Sequence, residues 1–282
     1  MKIFKSLLFI PGNKENMLEK ALSLKPSAYI PDLEDSVTEA EKINALNCIL
    51  KYLPILISSG VPVIPRVNNI QSEFIEYEIQ ELTKFNIYGI SIGKIRSPED
   101  LAQLIKLLEK YKKDKVNQIK IIPWLESAEA ITRAPNILHM SPNIIAAAFG
   151  GEDFAQDLGI KRSDDENDLS YARQSIAIAA RANGIYALDT PYFNFKDDQG
   201  LIKNIEYVKQ LGFKGKFAIH PNQIDIINNH FRPSTEEVEN AKEVIRHFES
   251  ATKEGRGSTS LNNKVIDIPV YKRALDIVGA SD

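Results

Sequence analysis

The stretch SLLFIPGNKENMLEKALSLKPSAYIPDLED, residues 6–35, carries in miniature the pattern of the whole chain. Residues 6–12 are a short apolar run stopped by Pro11-Gly12, residues 15–24 place apolar side chains at helical spacing, and residues 28–35 are a second apolar run that ends in acids. A short strand, an amphipathic helix and another strand in that order form a βαβ unit with parallel strands. The alternation recurs. PVIPRVN (62–68), GISIGKI (89–95), IKIIPWLES (119–127), IIAAAFGGED (144–153), YALDTPY (186–192) and KFAIHPNQ (216–223) read as strands, with DLAQLIKLLEKYKK (100–113) and ARQSIAIAARANG (172–184) among the intervening helices. About eight βα units in roughly 230 residues is the count and size of an α/β TIM (β/α)8 barrel. The alternative is a doubly wound open sheet, but no GxGxxG follows the first strand, so a dinucleotide site has no sequence support.

A chain of 282 residues, 43% of them hydrophobic, can bury one large core. Its 35 basic and 38 acidic residues are mixed along the length, so no basic face for nucleic acid or anionic lipid is expected. Small molecules or other protein chains are the expected partners. Cys48, the single cysteine, excludes an internal disulfide or a thiolate metal cluster and suits a reducing compartment. The apolar patch at the amino terminus is too short for a signal h-region, and no apolar run can span a bilayer. The expectation is a soluble, cytoplasmic protein. Residues 1–232 read as the barrel domain and 233–282 as an extension: a helical run opened by Pro233-Ser234-Thr235, a Gly- and Ser-bearing linker, then KVIDIP and a last helix. Such a piece serves as a lid or an oligomer arm.

In a βα barrel the carboxyl ends of the strands form one rim, so residues closing different strands converge. In order these ends offer Pro11-Gly12; Asp32, Glu34 and Asp35; Arg66 and Asn68; Lys94; Glu126 and Ser127; Glu152 and Asp153; Asp189; and His220. Several acids on one rim repel unless a cation lies between them, and oxygen ligands without clustered Cys or His point to a hard divalent ion, Mg²⁺. Glu126 and Asp153, from the adjacent fifth and sixth strands, are the expected ligand pair. Arg66 could hold a carboxylate or an enolate oxygen through its planar guanidinium. Its alternative, shared by Lys94, is an ion pair with the acids of the second strand. His220 reads as a brace for its turn rather than a base, and Trp124 as barrel packing.

Taken together, the motifs resemble the citrate lyase β-subunit-like family of the aldolase/citrate lyase superfamily. They are KSLLFIPGNKENMLEKA (5–21), DLEDSV (32–37), PRVN (65–68), ESAEAI (126–131), AFGGEDFAQDLG (148–159), ARANGIYALDTPY (180–192), LGFKGKFAIHPNQ (211–223) and SLNNKVIDIPV (260–270), in the family's order and over nearly the whole chain. The resemblance implies a TIM barrel with a C-terminal lid in a homotrimer or larger assembly such as a hexamer. It implies Mg²⁺-dependent cleavage or formation of a carbon–carbon bond in a β-hydroxyacyl thioester. By motif match Glu126 and Asp153 hold the metal, Glu34 and Asp35 hold its waters, and Arg66 binds the thioester enolate oxygen. Lys42 and Lys94 are the cations expected at the substrate or CoA. Asp267 matches a lid aspartate that, in the malyl-CoA and citramalyl-CoA lyase branches, acts as acid/base in an adjacent subunit's site.

The implied reaction cleaves malyl-CoA, citramalyl-CoA or a relative into an acyl-CoA such as acetyl-CoA and an α-keto acid. EDFAQDLG and IHPNQ favour a stand-alone CoA enzyme. DLEDSV and EGRG keep open the citrate lyase β subunit, which acts on an acyl-carrier-protein thioester. A barrel that binds an acyl-CoA or keto acid without turnover is the third reading. Three positions depart from the family pattern: Lys5 replaces an Arg, Leu46 a basic residue, and Asn263 the Gly of SLxGK.

Overall fold

Eight parallel strands close into a barrel in the computed structural model, which describes residues 3–111, 119–163 and 166–280. The strands are β1 (Ser6–Pro11), β2 (Ala28–Asp32), β3 (Arg66–Val67), β4 (Gly89–Ile92), β5 (Lys120–Leu125), β6 (Ala146–Phe149), β7 (Tyr186–Asp189) and β8 (Gly215–Ala218). They pair in sequence order, and β1 returns to pair with β8. Helices α1 (Glu15–Ala21), α2 (Lys42–Ser58), α3 (Ile75–Leu82), α4 (Pro98–Tyr111), α5 (Ala128–Leu138), α6 (Gly151–Leu158), α7 (Ser170–Ala182), α8 (Asp198–Gln210) and α9 (Asn222–His230) follow. All eight strands read from the sequence are present; the helix read at 100–113 ends with two residues outside those described. No helix among the described residues is long and apolar enough to cross a membrane.

Most strand residues are buried, since one face looks into the barrel and the other meets the helices. Large and small residues alternate inside. Trp124 on β5 sits in register with Ala148 on β6, and its ring lies 4.3 Å from that of Phe217 on β8. Phe9 of β1 stacks on Phe217 at 5.2 Å, and Trp124 Nε1 donates to Ser91 Oγ at 2.8 Å. Trp124 is therefore packing, as read. Strand β3 is two residues long and is preceded by Pro62 and Pro65, which cannot donate to the ladder.

Asp189 ends β7 but does not face the mouth. It pairs with Arg173 of α7 (Nε to Oδ1, 2.8 Å) and with Lys216 of β8, all three fully buried in the layer between barrel and helices. Arg173 also reaches Glu166 at 2.7 Å. Leu188 and Phe217 belong to the core cluster, so the alternating Asp189 and Lys216 turn outward. Burial opposes the Asp189 charge, yet Arg173 and Lys216 hold its carboxyl below the ordinary range.

The chain divides into two compact units, Met1–Asn228 and Asn229–Asp282. The second comprises α10 (Thr235–Lys253), the antiparallel β9 (Thr259–Leu261) and β10 (Lys264–Ile266), and α11 (Ile268–Gly279). A capping box of Ser234 and Glu237 starts α10, and Phe248 stacks on Tyr271 at 4.7 Å. The segment from the linker into KVIDIP contains a hairpin. Asn262 and Asn263, both at positive φ (50° and 59°), form its two-residue turn. Asn tolerates that conformation almost as readily as Gly, which explains how Asn263 replaces the family glycine without loss of register.

Asp189→Ala would leave Arg173 and Lys216 buried without their shared counter-ion. Its urea unfolding should show a loss of about 3–5 kcal/mol; a loss below about 1 kcal/mol would remove the network from the fold's supports.

Candidate active site

At the rim, strand-end acids gather around Arg66. Its Nε lies 2.6 Å from Asp32 Oδ1 and its Nη2 2.7 Å from Asp32 Oδ2, a two-point contact, while Nη1 reaches Glu34 Oε2 at 3.0 Å and Asp35 Oδ2 at 3.3 Å. The guanidinium carbon sits 4.5 Å above the Phe9 ring, so the aromatic layer inside the barrel supports it from below. Asp32 also accepts from the backbone N–H of Glu34 (3.0 Å) and of Ser36 (3.1 Å), folding the DLED segment back over its own carboxylate. Burial works against the charges of Asp32 and Asp35; Arg66 together with hydrogen bonds, and at Asp35 also Lys94, outweighs it, and both carboxyls lie below their ordinary range. For Glu34 burial wins and the carboxyl is raised.

Lys94, after β4, has a left-handed backbone (φ 57°) and three contacts. Its N–H donates to Glu126 Oε1 at 2.5 Å, and its ammonium lies 2.8 Å from Glu34 Oε1 and 3.0 Å from Asp35 Oδ1. Glu126, which follows β5, is buried; desolvation first, then the charges of Asp153 and Glu34, push its carboxyl up to about 8. Asp153 stands in the first turn of α6, where the helix N-terminus favours an anion, yet burial and Asp35 raise it too. Two glycines make the convergence possible. A Cβ on Gly150 would lie 2.0 Å from Glu126 Oε2, and one on Gly93 would lie 3.1 Å from both Glu34 oxygens and 3.2 Å from Glu126 Oε1.

Five carboxylates, Asp32, Glu34, Asp35, Glu126 and Asp153, thus face two cations, Arg66 and Lys94. The imbalance is the electrostatic setting of a divalent cation. Both Glu34 oxygens are buried and, beyond the two ion contacts, have no well-directed hydrogen bond, as suits a carboxylate that accepts from metal-bound water. Among the described residues no three Asp, Glu, His or Cys side chains form a ready-made cage. Glu126 and Asp153 offer two carboxylates, the ligand set of an ion that keeps water and substrate in its other positions.

Glu126 and Asp153 line two cavities at once. One, about 390 Å³, is walled by Phe9, Arg66, Trp124, Phe193 and Ile219; the other, about 490 Å³, by polar groups including Lys94, Arg96, Gln71 and Gln156. Lys42 is 6% exposed and gives two donors to the backbone carbonyls of Leu33 and Glu34, both at 2.7 Å, so it braces the acidic segment from beneath. Asp267, in the second unit, caps α11 by accepting from Val270 N at 3.1 Å. His220 accepts from Asn222 N at 3.3 Å and stacks on Phe195 at 5.0 Å, bracing its turn as read. Asp32 had no separate role in the sequence reading; its position directly before LED was the signal there, and its register with Arg66 emerges only in the structure.

The model of the HpcH/HpaI aldolase/citrate lyase family matches residues 5–221. Citrate lyase subunit beta of Haemophilus influenzae is 35% identical over 97% of this chain and 95% of its own length. The mitochondrial citramalyl-CoA lyase of Homo sapiens is 31% identical over 97% of this chain and 84% of its own. The crystal structure of CitE from Mycobacterium tuberculosis in complex with magnesium, acetoacetate and coenzyme A superposes with a TM-score of 0.82 at 25% identity, covering 99% and 98% of the two chains.

Because folding raises the Glu126 carboxyl, the metal-free protein loses stability as pH rises from the ordinary Glu range through about 8. Glu126→Gln keeps an acceptor for the Lys94 N–H and removes the charge. In thermal melts without divalent ions it should match the native protein at pH 5 and exceed it at pH 9, by about 2–4 °C for each kcal/mol of repulsion relieved. An equal Tm at pH 9 would contradict the charge imbalance.

Proposed function

The chain belongs to the HpcH/HpaI aldolase/citrate lyase family, and we propose that within it the chain is a Mg²⁺-dependent carbon–carbon lyase that cleaves, or by reversal forms, a β-hydroxyacyl thioester. The products are an acetyl-type thioester and an α-keto acid. One observation carries the reading: Glu126 and Asp153, both with raised carboxyls, line the Arg66 cavity and the polar one alike.

Glu126 and Asp153 hold the ion, and Glu34 and Asp35 order the water around it. When bound, Mg²⁺ supplies Lewis acidity to the carboxylate and carbonyl oxygens of the keto acid. In cleavage the β-hydroxyl proton leaves to a base, its electron pair forms the keto carbonyl, and the carbon–carbon bond breaks toward the thioester. The departing fragment is a thioester enolate. Arg66 lines the cavity and is placed to receive its oxygen: Asp32 fixes Nε and Nη2, and the oxygen would approach the guanidinium beside Nη1, which Glu34 and Asp35 also contact. A fixed cation needs no reorganisation as the negative charge develops. Protonation of the enolate carbon then falls to Asp267 of a neighbouring subunit, which requires a homo-oligomer, trimeric or hexameric, and release of Asp267 from its helix cap. Lys94 lines the polar cavity, where its ammonium meets anionic parts of the substrate.

CoA is the proposed carrier. A second reading, a carrier-protein thioester as acted on by a citrate lyase β subunit, is favoured by the 35% identical relative of that name. Mass spectrometry of the purified protein with malyl-, methylmalyl-, citramalyl- and citryl-CoA, each with Mg²⁺ or EDTA, separates the readings. Metal-dependent release of acetyl-CoA or propionyl-CoA with a keto acid supports the first; silence with CoA esters and turnover of a citryl carrier protein supports the second; silence with both leaves a binding barrel.

Asp153→Ala should abolish both Mg²⁺-dependent keto-acid binding and turnover, and retained binding would overturn the metal assignment. Arg66→Lys, which loses the two-point contact with Asp32, should lower kcat about 10²–10³-fold with little change in KM. Asp267→Asn should abolish turnover while keto-acid binding persists; undiminished turnover would exclude it from proton transfer.

A further inference from the structure

A second buried carboxylate stands behind the barrel wall, outside the site described above. Glu78, on α3, is 1% exposed, and both its carboxylate oxygens accept from Asn68, the residue that follows β3. Oε2 accepts from the Asn68 backbone N–H at 2.9 Å and Oε1 from the Asn68 side-chain amide. That same amide nitrogen donates its other hydrogen to the Leu33 carbonyl at 3.1 Å. Lys42 donates to the same carbonyl and to that of Glu34. Leu33 N in turn donates to Arg66 O at 2.9 Å. The Leu33–Glu34 backbone is therefore gripped by Asn68 and Lys42 from outside the mouth, and Glu78 sets which way the Asn68 amide points.

We propose that Glu78 is a positioning residue: by holding Asn68, it fixes the Leu33–Glu34 peptide and so aims the Glu34 carboxylate at Arg66 and Lys94. The functional half of this inference rests on the lyase reading; the positioning half does not. The chemistry explains why a carboxylate stands there. Asn68 presents two N–H donors to one side chain, and only a carboxylate offers two acceptors in that space. An amide would set its NH₂ against one of them, leaving a buried donor unpaired. Hydrogen-bond partners one layer out from a metal change affinity or activity about 10–100-fold, and Glu78 acts further back, through Asn68 and the Leu33–Glu34 peptide, so its effect falls at the low end of that range.

The charge is also held under tension. The groups around Glu78 are Asn68 after β3, Lys42 from α2 and Asp32 from β2; burial dominates and lifts its carboxyl to about 7. Below that pH it takes up a proton, one acceptor is lost and the Asn68 grip slackens.

Hydrogen exchange of the full-length protein tests the inference without reference to activity. In Glu78→Gln, peptides covering residues 33–37 should lose protection by about tenfold, whereas Ile79→Val, a core truncation one residue along α3, should leave them unchanged. In the native chain, protection relative to intrinsic exchange rates should fall between pH 8 and 6, and in Glu78→Gln it should be flat. The native pH series needs no variant, so misfolding of Glu78→Gln cannot rescue the idea. With Mg²⁺ and a turned-over thioester, Glu78→Gln should lower kcat about tenfold and raise the half-saturating Mg²⁺, with KM for the thioester held. Equal loss in both variants, or unchanged protection in Glu78→Gln and in the native pH series, overturns the proposal. Altered protection in a protein that turns over no thioester keeps the positioning role and discards the lyase.

Discussion

The two-point contact between Asp32 and Arg66 is the interaction on which the mouth of the barrel depends. One carboxylate performs two tasks: it holds the guanidinium edge-on, and it accepts the N–H groups of Glu34 and Ser36. The first task orients the cation above Phe9, and the second bends the chain so that Glu34 and Asp35 lie against it. Exchanging this pair for an amide and a lysine would keep the volume and lose both functions. A lysine has no fork to bind two oxygens, and an amide cannot accept at both ends.

Around that pair the molecule tolerates a local excess of negative charge. Burial and neighbouring acids raise the carboxyls of Glu126 and Asp153, so their negative charges are ones the surrounding side chains do not fully offset. Strain supports the same placement: Lys94 holds a left-handed backbone so that its N–H and its ammonium serve different carboxylates. Gly93 and Gly150 leave room for the acids to approach one another. Behind β7 and β8, Asp189 faces two cations in the helix layer, a neutralised contrast to the mouth.

Much of the fold was legible because the period of the apolar residues changes at every element, and eight such changes leave few topologies. The site was legible only in part. Glu126, Asp153, Arg66 and Lys94 could be picked out because they close strands or open the next helix, where barrel geometry makes them meet. Asp189 closes a strand as well and points to the helices, since a shift of one residue along a strand reverses the face of its side chain. Lys42 and Glu78 lie on helices, where sequence spacing gives no hint that a buried ammonium or carboxylate reaches back to a loop carbonyl or a strand-end amide.

The sequence by itself determined the order of strands and helices, the closed barrel, and the residue types at the rim, because these follow from local periodicity and from the parallel order of βα units. Only the tertiary structure decided which acids face one another, which are neutralised in the helix layer, and which carboxylates or backbone carbonyls each cation meets. Those outcomes depend on side-chain direction and on distances between residues far apart in the chain, and at a few ångströms a single change of face turns repulsion that calls for a metal into an ion pair that needs none.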